Sequence, residues 1–176
     1  MIKESCEKLN NQAIILAEQG NFTEAINCLI RAITIEKQND LLWFNLGVTY
    51  RDSGDLNLAE AALHQALEIN PEREETIETL AQITLSANRF ADTVGVCSIG
   101  LSQNPDNIHL WNILGIVHFK NGDYVSASEI FERALSINPF YYDALFNLRD
   151  TYEELGNKIG YEECCKRLND LQSSGN

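Results

Sequence analysis

The chain has 176 residues, 44% of them apolar, and carries a net charge of −13. That length and apolar content suit one folded domain with its own core and argue against global disorder. The charge repels phosphate, which argues against nucleic acid and anionic membrane surfaces as partners, and no apolar run approaches the roughly 18 residues of a spanning helix.

From the N-terminus, the best candidate for the apolar part of a secretory leader, Ala13 to Ala17, is short and bracketed by Gln12 and Glu18. The start therefore reads as mature cytoplasmic sequence. The five cysteines (Cys6, Cys28, Cys97, Cys164 and Cys165) are odd in number and lack C-x-x-C spacing. This argues against a zinc site or disulfide framework and for a reducing compartment.

All three prolines, Pro71, Pro105 and Pro139, lie 34 residues apart. Gly20, Gly54, Gly122 and Gly156 keep the same period, with Asn88 in the missing slot, and the residues that follow are Asn21, Asp55, Asp123, Asn157 and, after Asn88, Arg89. Glycine can take the left-handed conformation that ends one helix, and Asp or Asn can cap the next. The chain therefore divides into five helix–turn–helix frames, 6–39, 40–73, 74–107, 108–141 and 142–172.

In the first frame Ala13, Gly20, Ala25, Leu29 and Ala32 stand in order, with Lys37 in place of the proline. The second frame is complete: Trp43, Leu46, Gly47 and Tyr50 form an apolar stripe on helix A, and Ala59, Leu63, Ala66 and Leu67 form one on helix B. The third is poor, with Thr93, Cys97 and Gly100 where alanine, a large residue and alanine are usual. Gly95 and Gly100 inside its helix B each cost about 1 kcal/mol relative to alanine, so that helix is expected to be a soft joint. The fourth matches the second, with Trp111, Leu114, Gly115, Ala127, Phe131, Ala134 and Pro139. In the fifth, Arg149, Tyr161 and Cys165 occupy core slots and the last helix is charged; it reads as a cap facing water, with a frayed tail from Gln172 to Asn176.

This ordered set of small and large residues on a 34-residue period resembles the tetratricopeptide repeat. The resemblance implies an all-α fold: a right-handed superhelical solenoid of tandem antiparallel helix pairs, five repeats with the last as a cap, in one domain over residues 1–176. It also implies a non-catalytic protein–protein interaction module, an adaptor, scaffold or co-chaperone-like protein, with helix A lining a concave groove that holds a peptide segment. The groove positions that follow from the family geometry are Asn11, Phe44, Asn45, Val48, Glu75, Glu78, Gln82, Asn112, Ile113, Ile116, Phe119, Phe146 and Asn147. The apolar ones among them are expected to face solvent and mark a binding surface. Asn11, Asn45 and Asn147 share one repeat position, interrupted by Thr79 and Ile113; in some family members such a ladder reads an extended peptide.

The family's carboxylate clamp would need cations at Asn10, Glu75 and Thr79, or at Phe44, His109 and Ile113, and none is there. A chaperone's C-terminal carboxylate is therefore not expected as ligand. Charge by frame runs −1, −4, −4, −1 and −3; the acidic rim favours a partner with basic and apolar residues. The alternative is a structural protein that self-assembles or docks into a larger complex through the ends or convex face of the stack. No cofactor, metal or catalytic centre is expected: His64, His109 and His118 read as surface or core histidines, Cys97 and Cys165 as buried fillers, and no phosphate loop or metal-ligand spacing occurs.

Overall fold

The computed structural model describes residues 5–174, and among them the chain is helix and turn throughout. The helices are α1 (Cys6–Glu18), α2 (Phe22–Ile35), α3 (Asp40–Ser53), α4 (Leu56–Ile69), α5 (Glu74–Ser86), α6 (Phe90–Gln103), α7 (Ile108–Lys120), α8 (Tyr124–Ile137), α9 (Tyr142–Glu154) and α10 (Lys158–Ser174). The odd-numbered helices begin at 6, 40, 74, 108 and 142, the first residues of the five frames.

The turns are built as the period requires. Gly54 has φ 92° and Asn88 takes φ 55°, so the asparagine fills the left-handed slot that glycine holds elsewhere. Capping is less uniform than expected. Asp123 accepts from the Ser126 amide at 3.3 Å and Asn157 from the Gly160 amide at 3.1 Å. Asn21 and Asp55 make no side-chain cap, and the Asp55 carboxylate instead accepts from the Ser53 hydroxyl at 3.2 Å.

Two compact units divide between Ile83 and Thr84, within α5. In the first, Leu9, Ala13, Ala25, Leu29, Ala32, Leu42 and Leu46 form the core. Helices α3 and α4 approach closely because Gly47 has no side chain: a Cβ there would lie 2.6 Å from Leu63 Cγ. In the second unit Ala127, Phe131, Ala134, Leu145, Leu148, Cys164 and Leu168 pack together, and a Cβ on Gly115 would lie 2.6 Å from Phe131 Cδ1. Each large side chain sits over a glycine, and the fit depends on both.

The third repeat keeps regular helices despite its sequence. Its core is partly hydroxylic. Thr93 is fully buried, its oxygen 3.0 Å from both the Arg89 carbonyl and the Thr84 hydroxyl. Thr76 is fully buried and its hydroxyl has no hydrogen-bond partner among the described residues. Gly95 faces open space, while Gly100 is buried.

The last repeat fills two of its core slots differently. Cys164 and Leu168 are buried, whereas Cys165 and Tyr161 are only half-buried. Tyrosine is too large for the alanine slot, and the preceding Gly160 takes the close approach instead, where a Cβ would meet the Tyr152 ring at 2.6 Å. Cys164 and Leu168 thus keep the slots that Ala62 and Ala66 bury in the second repeat, while Tyr161 and Cys165 leave the slots of Ala59 and Leu63 only half-buried. The helix also runs on through Gln172 and Ser173, whose hydroxyl donates to the Asn169 carbonyl at 2.8 Å, in place of the frayed end expected from 172. Gly175 and Asn176 lie outside the described residues. Among the described residues no helix is long and apolar enough to cross a membrane.

Candidate functional site

The expected binding positions fall on the helix-A faces of the two units. In the first unit Asn11 is exposed on α1, and Phe44, Asn45 and Val48 are half-buried on α3. Asn45 donates from Nδ2 to Oδ1 of Asn10 at 2.7 Å. On α5 Glu75 and Gln82 are exposed and Glu78 is half-buried. Thr79, which interrupts the asparagine register, is buried and donates to the Glu75 carbonyl at 2.6 Å.

Arg73 is a cation beside Phe44, and it is engaged. It bonds Asp40 at 2.6 Å, approaches Glu75 at 3.8 Å, and lies 5.9 Å from the Phe44 ring centre. Burial alone would raise the Asp40 pKa, but hydrogen bonds from Arg73 and Asn70, with the arginine's charge, hold it below the usual carboxylate value. Glu72, Glu74, Glu75 and Glu78 line the adjoining depression of 480 Å³, so the rim beside Phe44 is acidic.

In the second unit two expected positions prove not to face solvent. Asn112 is 7% exposed and Ile113 5% exposed. Asn147 of α9 donates from Nδ2 to Asn112 Oδ1 at 2.9 Å, which ties these two helix-A segments together. Ile116 and Phe119 are half-buried and pack on the core, Phe119 edge-on to Tyr124 with centres 5.3 Å apart. Phe146 stays 38% exposed, with the Arg149 guanidinium 4.0 Å from its ring centre and Tyr142 stacked beside it. Arg149 in turn bonds Asp150 at 2.6 Å.

Sequence reasoning missed two things on these faces. Ile14 stands 34 residues before Val48 and is 42% exposed. Asn10 and Asn112 are the acceptors of the two amide bonds and lie 102 residues apart, three whole periods. The lattice itself carried both signals.

The titratable groups have ordinary structural settings. His64 is exposed, His109 Nδ1 lies 3.1 Å from the Tyr141 hydroxyl, and His118 Nδ1 lies 3.0 Å from Asp123. Burial pushes the Cys97 thiol up to about 12 and Cys164 up to about 11, which leaves both as inert thiols at neutral pH. Among the described residues no three His, Cys, Asp or Glu side chains are grouped to hold a metal ion.

Tetratricopeptide repeat models match residues 4–72 and, separately, 108–141. The chain belongs to the tetratricopeptide repeat family. It is 28% identical over 174 residues to the TPR repeat-containing protein MJ1428 of Methanocaldococcus jannaschii, covering 90% of this chain and 30% of that protein. It is 28% identical over 176 residues to the BBSome complex member BBS4 of Mus musculus, covering 81% and 34%. The chain thus spans about a third of the length of these curated relatives. Among solved structures, MamA superimposes with a TM-score of 0.79 at 19% identity, covering 96% of this chain and 92% of that one. A structure of pilF from Pseudomonas aeruginosa gives 0.83 at 14% identity, covering 94% and 76%. These tetratricopeptide folds share the helix-pair architecture. Proteins of the family are in general protein-interaction modules or scaffolds without catalytic activity of their own.

Proposed function

We propose that this tetratricopeptide repeat chain is a non-catalytic interaction module whose helix-A faces hold a peptide segment of a partner protein. The observation that carries this reading is the pairing of partly open aromatic rings with carboxylates on those faces. Phe44 sits beside the acidic rim of α5, and Phe146 shares α9 with Asp143, Asp150, Glu153 and Glu154. Aromatic anchors supply contact area at low entropic cost, and the surrounding charge selects for lysine or arginine next to the anchor. Two arginines of these faces are already engaged: Arg73 pairs with Asp40 and Arg149 with Asp150.

The test is partner capture followed by titration calorimetry with the identified segment. Phe44→Ala and Phe146→Ala should each weaken binding about tenfold, as expected for truncating an aromatic anchor, without changing the thermal melt. Affinity equal to wild type in both variants would remove the helix-A faces from consideration.

A further inference from the structure

A depression also lies on the helix-B side of the first unit. Between α2 and α4 a cleft of 370 Å³ is floored by Trp43 and Tyr50 and walled by Ile30 and Leu58, which are 44% and 50% exposed. A second depression of 470 Å³ shares Ile33, Thr34, Trp43 and Gln65 with it and extends it toward Lys37 and Glu68. Three of the polar side chains that line the two are already bonded. Trp43 Nε1 donates to the Lys37 carbonyl at 3.0 Å, Thr34 to the Arg31 carbonyl at 2.7 Å, and Gln65 to Glu68 at 2.8 Å. What remains open to solvent is an elongated, largely apolar channel.

The fold does not require this apolar lining. Three periods later the second unit has a cleft of 460 Å³ at the same repeat positions, with Glu132, Gly160, Glu163 and Arg167 where the first unit has Ile30, Leu58, Ala61 and Gln65. There Tyr152, the counterpart of Tyr50, donates its hydroxyl to Glu132 across the cleft, and Arg167 donates to the Pro139 carbonyl at 2.6 Å. The same architecture is therefore built with charged, internally bonded walls in one unit and exposed aliphatic walls in the other. Exposed apolar clefts of this kind mark contact surfaces.

We propose that the helix-B cleft of the first unit docks a short amphipathic helix of a partner protein, its leucine-like side chains seated between Ile30 and Leu58 and its flanks carrying lysine or arginine. The joined depressions favour an elongated occupant, and an apolar helix face is the form that fills such a channel. Charge favours basic flanks. Helices α2 and α4 carry Glu24, Glu60 and Glu68 against Arg31, with Lys37 at the end of the channel, and residues 1–83 hold fourteen acidic side chains against six basic ones. A second copy of this chain, itself at −13, would meet that surface with like charge.

The probe is a synthetic leucine–lysine peptide with leucines at helical i, i+3, i+4 spacing, read by fluorescence anisotropy against the full chain. Controls are the same composition with leucines scrambled, and a leucine–glutamate version. Binding of the leucine–lysine helix should weaken about tenfold or more on scrambling, and as much in Leu58→Gln and in Ile30→Gln, the loss expected when a leucine contact is removed. Both positions are half exposed, so the thermal melt should hold, and Phe44→Ala should bind as wild type. Equal binding of the scrambled peptide, indifference to both cleft variants, or loss in Phe44→Ala instead would each overturn the proposal. A concentration-dependent oligomer that Leu58→Gln dissolves, with no peptide bound, would assign the cleft to a second copy and also overturn it.

Discussion

The Nδ2 of Asn147 donates to the Oδ1 of Asn112 at 2.9 Å, and the same bond links Asn45 to Asn10 at 2.7 Å in the other unit. The two pairs differ in burial: Asn112 is buried, whereas Asn10 is half-exposed. Removing the donor strands a buried acceptor in one case and a hydrated one in the other. Asn147→Ala should therefore lower stability by about 1–3 kcal/mol, and Asn45→Ala by roughly 0.5–1 kcal/mol. Urea unfolding of the two variants checks this, and equal losses would show that burial of the acceptor is not what sets the cost.

Glycines inside helices of this chain serve opposite purposes. At Gly115 a side chain would collide with Phe131, whereas at Gly95 nothing stands within 4 Å. Gly115→Ala should destabilise by about 1–3 kcal/mol through overpacking, and Gly95→Ala should stabilise by about 0.5–1 kcal/mol through helix propensity. Thermal melts give both signs. Hydrogen exchange adds a second reading: residues 90–102 should be less protected than 124–136 in the wild type, and Gly95→Ala should narrow the gap.

Thr76 holds a buried hydroxyl with no hydrogen-bond partner among the described residues. The same position carries Leu42 and Leu110 in the second and fourth repeats. Valine keeps the shape and removes the stranded polar group, so Thr76→Val should raise stability by about 1–2 kcal/mol. A chemical denaturation midpoint that falls would mean the hydroxyl is satisfied in solution.

The Asp40 carboxylate ties the start of α3 to Arg73 and Asn70. Its folded pKa lies below the unfolded value of 3.8. The stability it contributes is present above that value and is lost as pH falls through the lower folded value. Wild type should thus exceed Asp40→Asn in stability at pH 7 and lose that advantage progressively from below about pH 4. A difference that stayed constant down to pH 2 would exclude the ionised carboxylate as its source.

The fold was legible because each repeat marks its own turns and its own close approaches. Gly54, Asn88 and Pro139 fix the punctuation, and Gly47 with Leu63 fixes how near two helices come. What the 34-residue lattice could not reveal was where the chain leaves it. Tyr161 on an alanine slot stays half-buried, and Gly160 beside it takes the close approach to Tyr152, a change that depends on volume rather than on residue class. Ile113 and Asn112 read as groove-facing from the family geometry, yet both are buried, and Asn112 is bonded by Asn147 of α9. The helix-B cleft was invisible for a different reason: Ile30, Leu58 and Trp43 lie on separate helices and share no short motif.

The glycine beneath each large core residue has a consequence for how such a chain can change. Leu63 and Phe131 differ in bulk, yet each rests on backbone, at Gly47 and Gly115. The glycine permits the close approach of the two helices, and the side chain above it fills the space that is left. Leucine and phenylalanine thus become alternative fillings of one mould, and the α3–α4 and α7–α8 hairpins become interchangeable parts. Recombination between repeats can then shuffle surface chemistry, such as an apolar or a charged cleft wall, while the joints keep their dimensions.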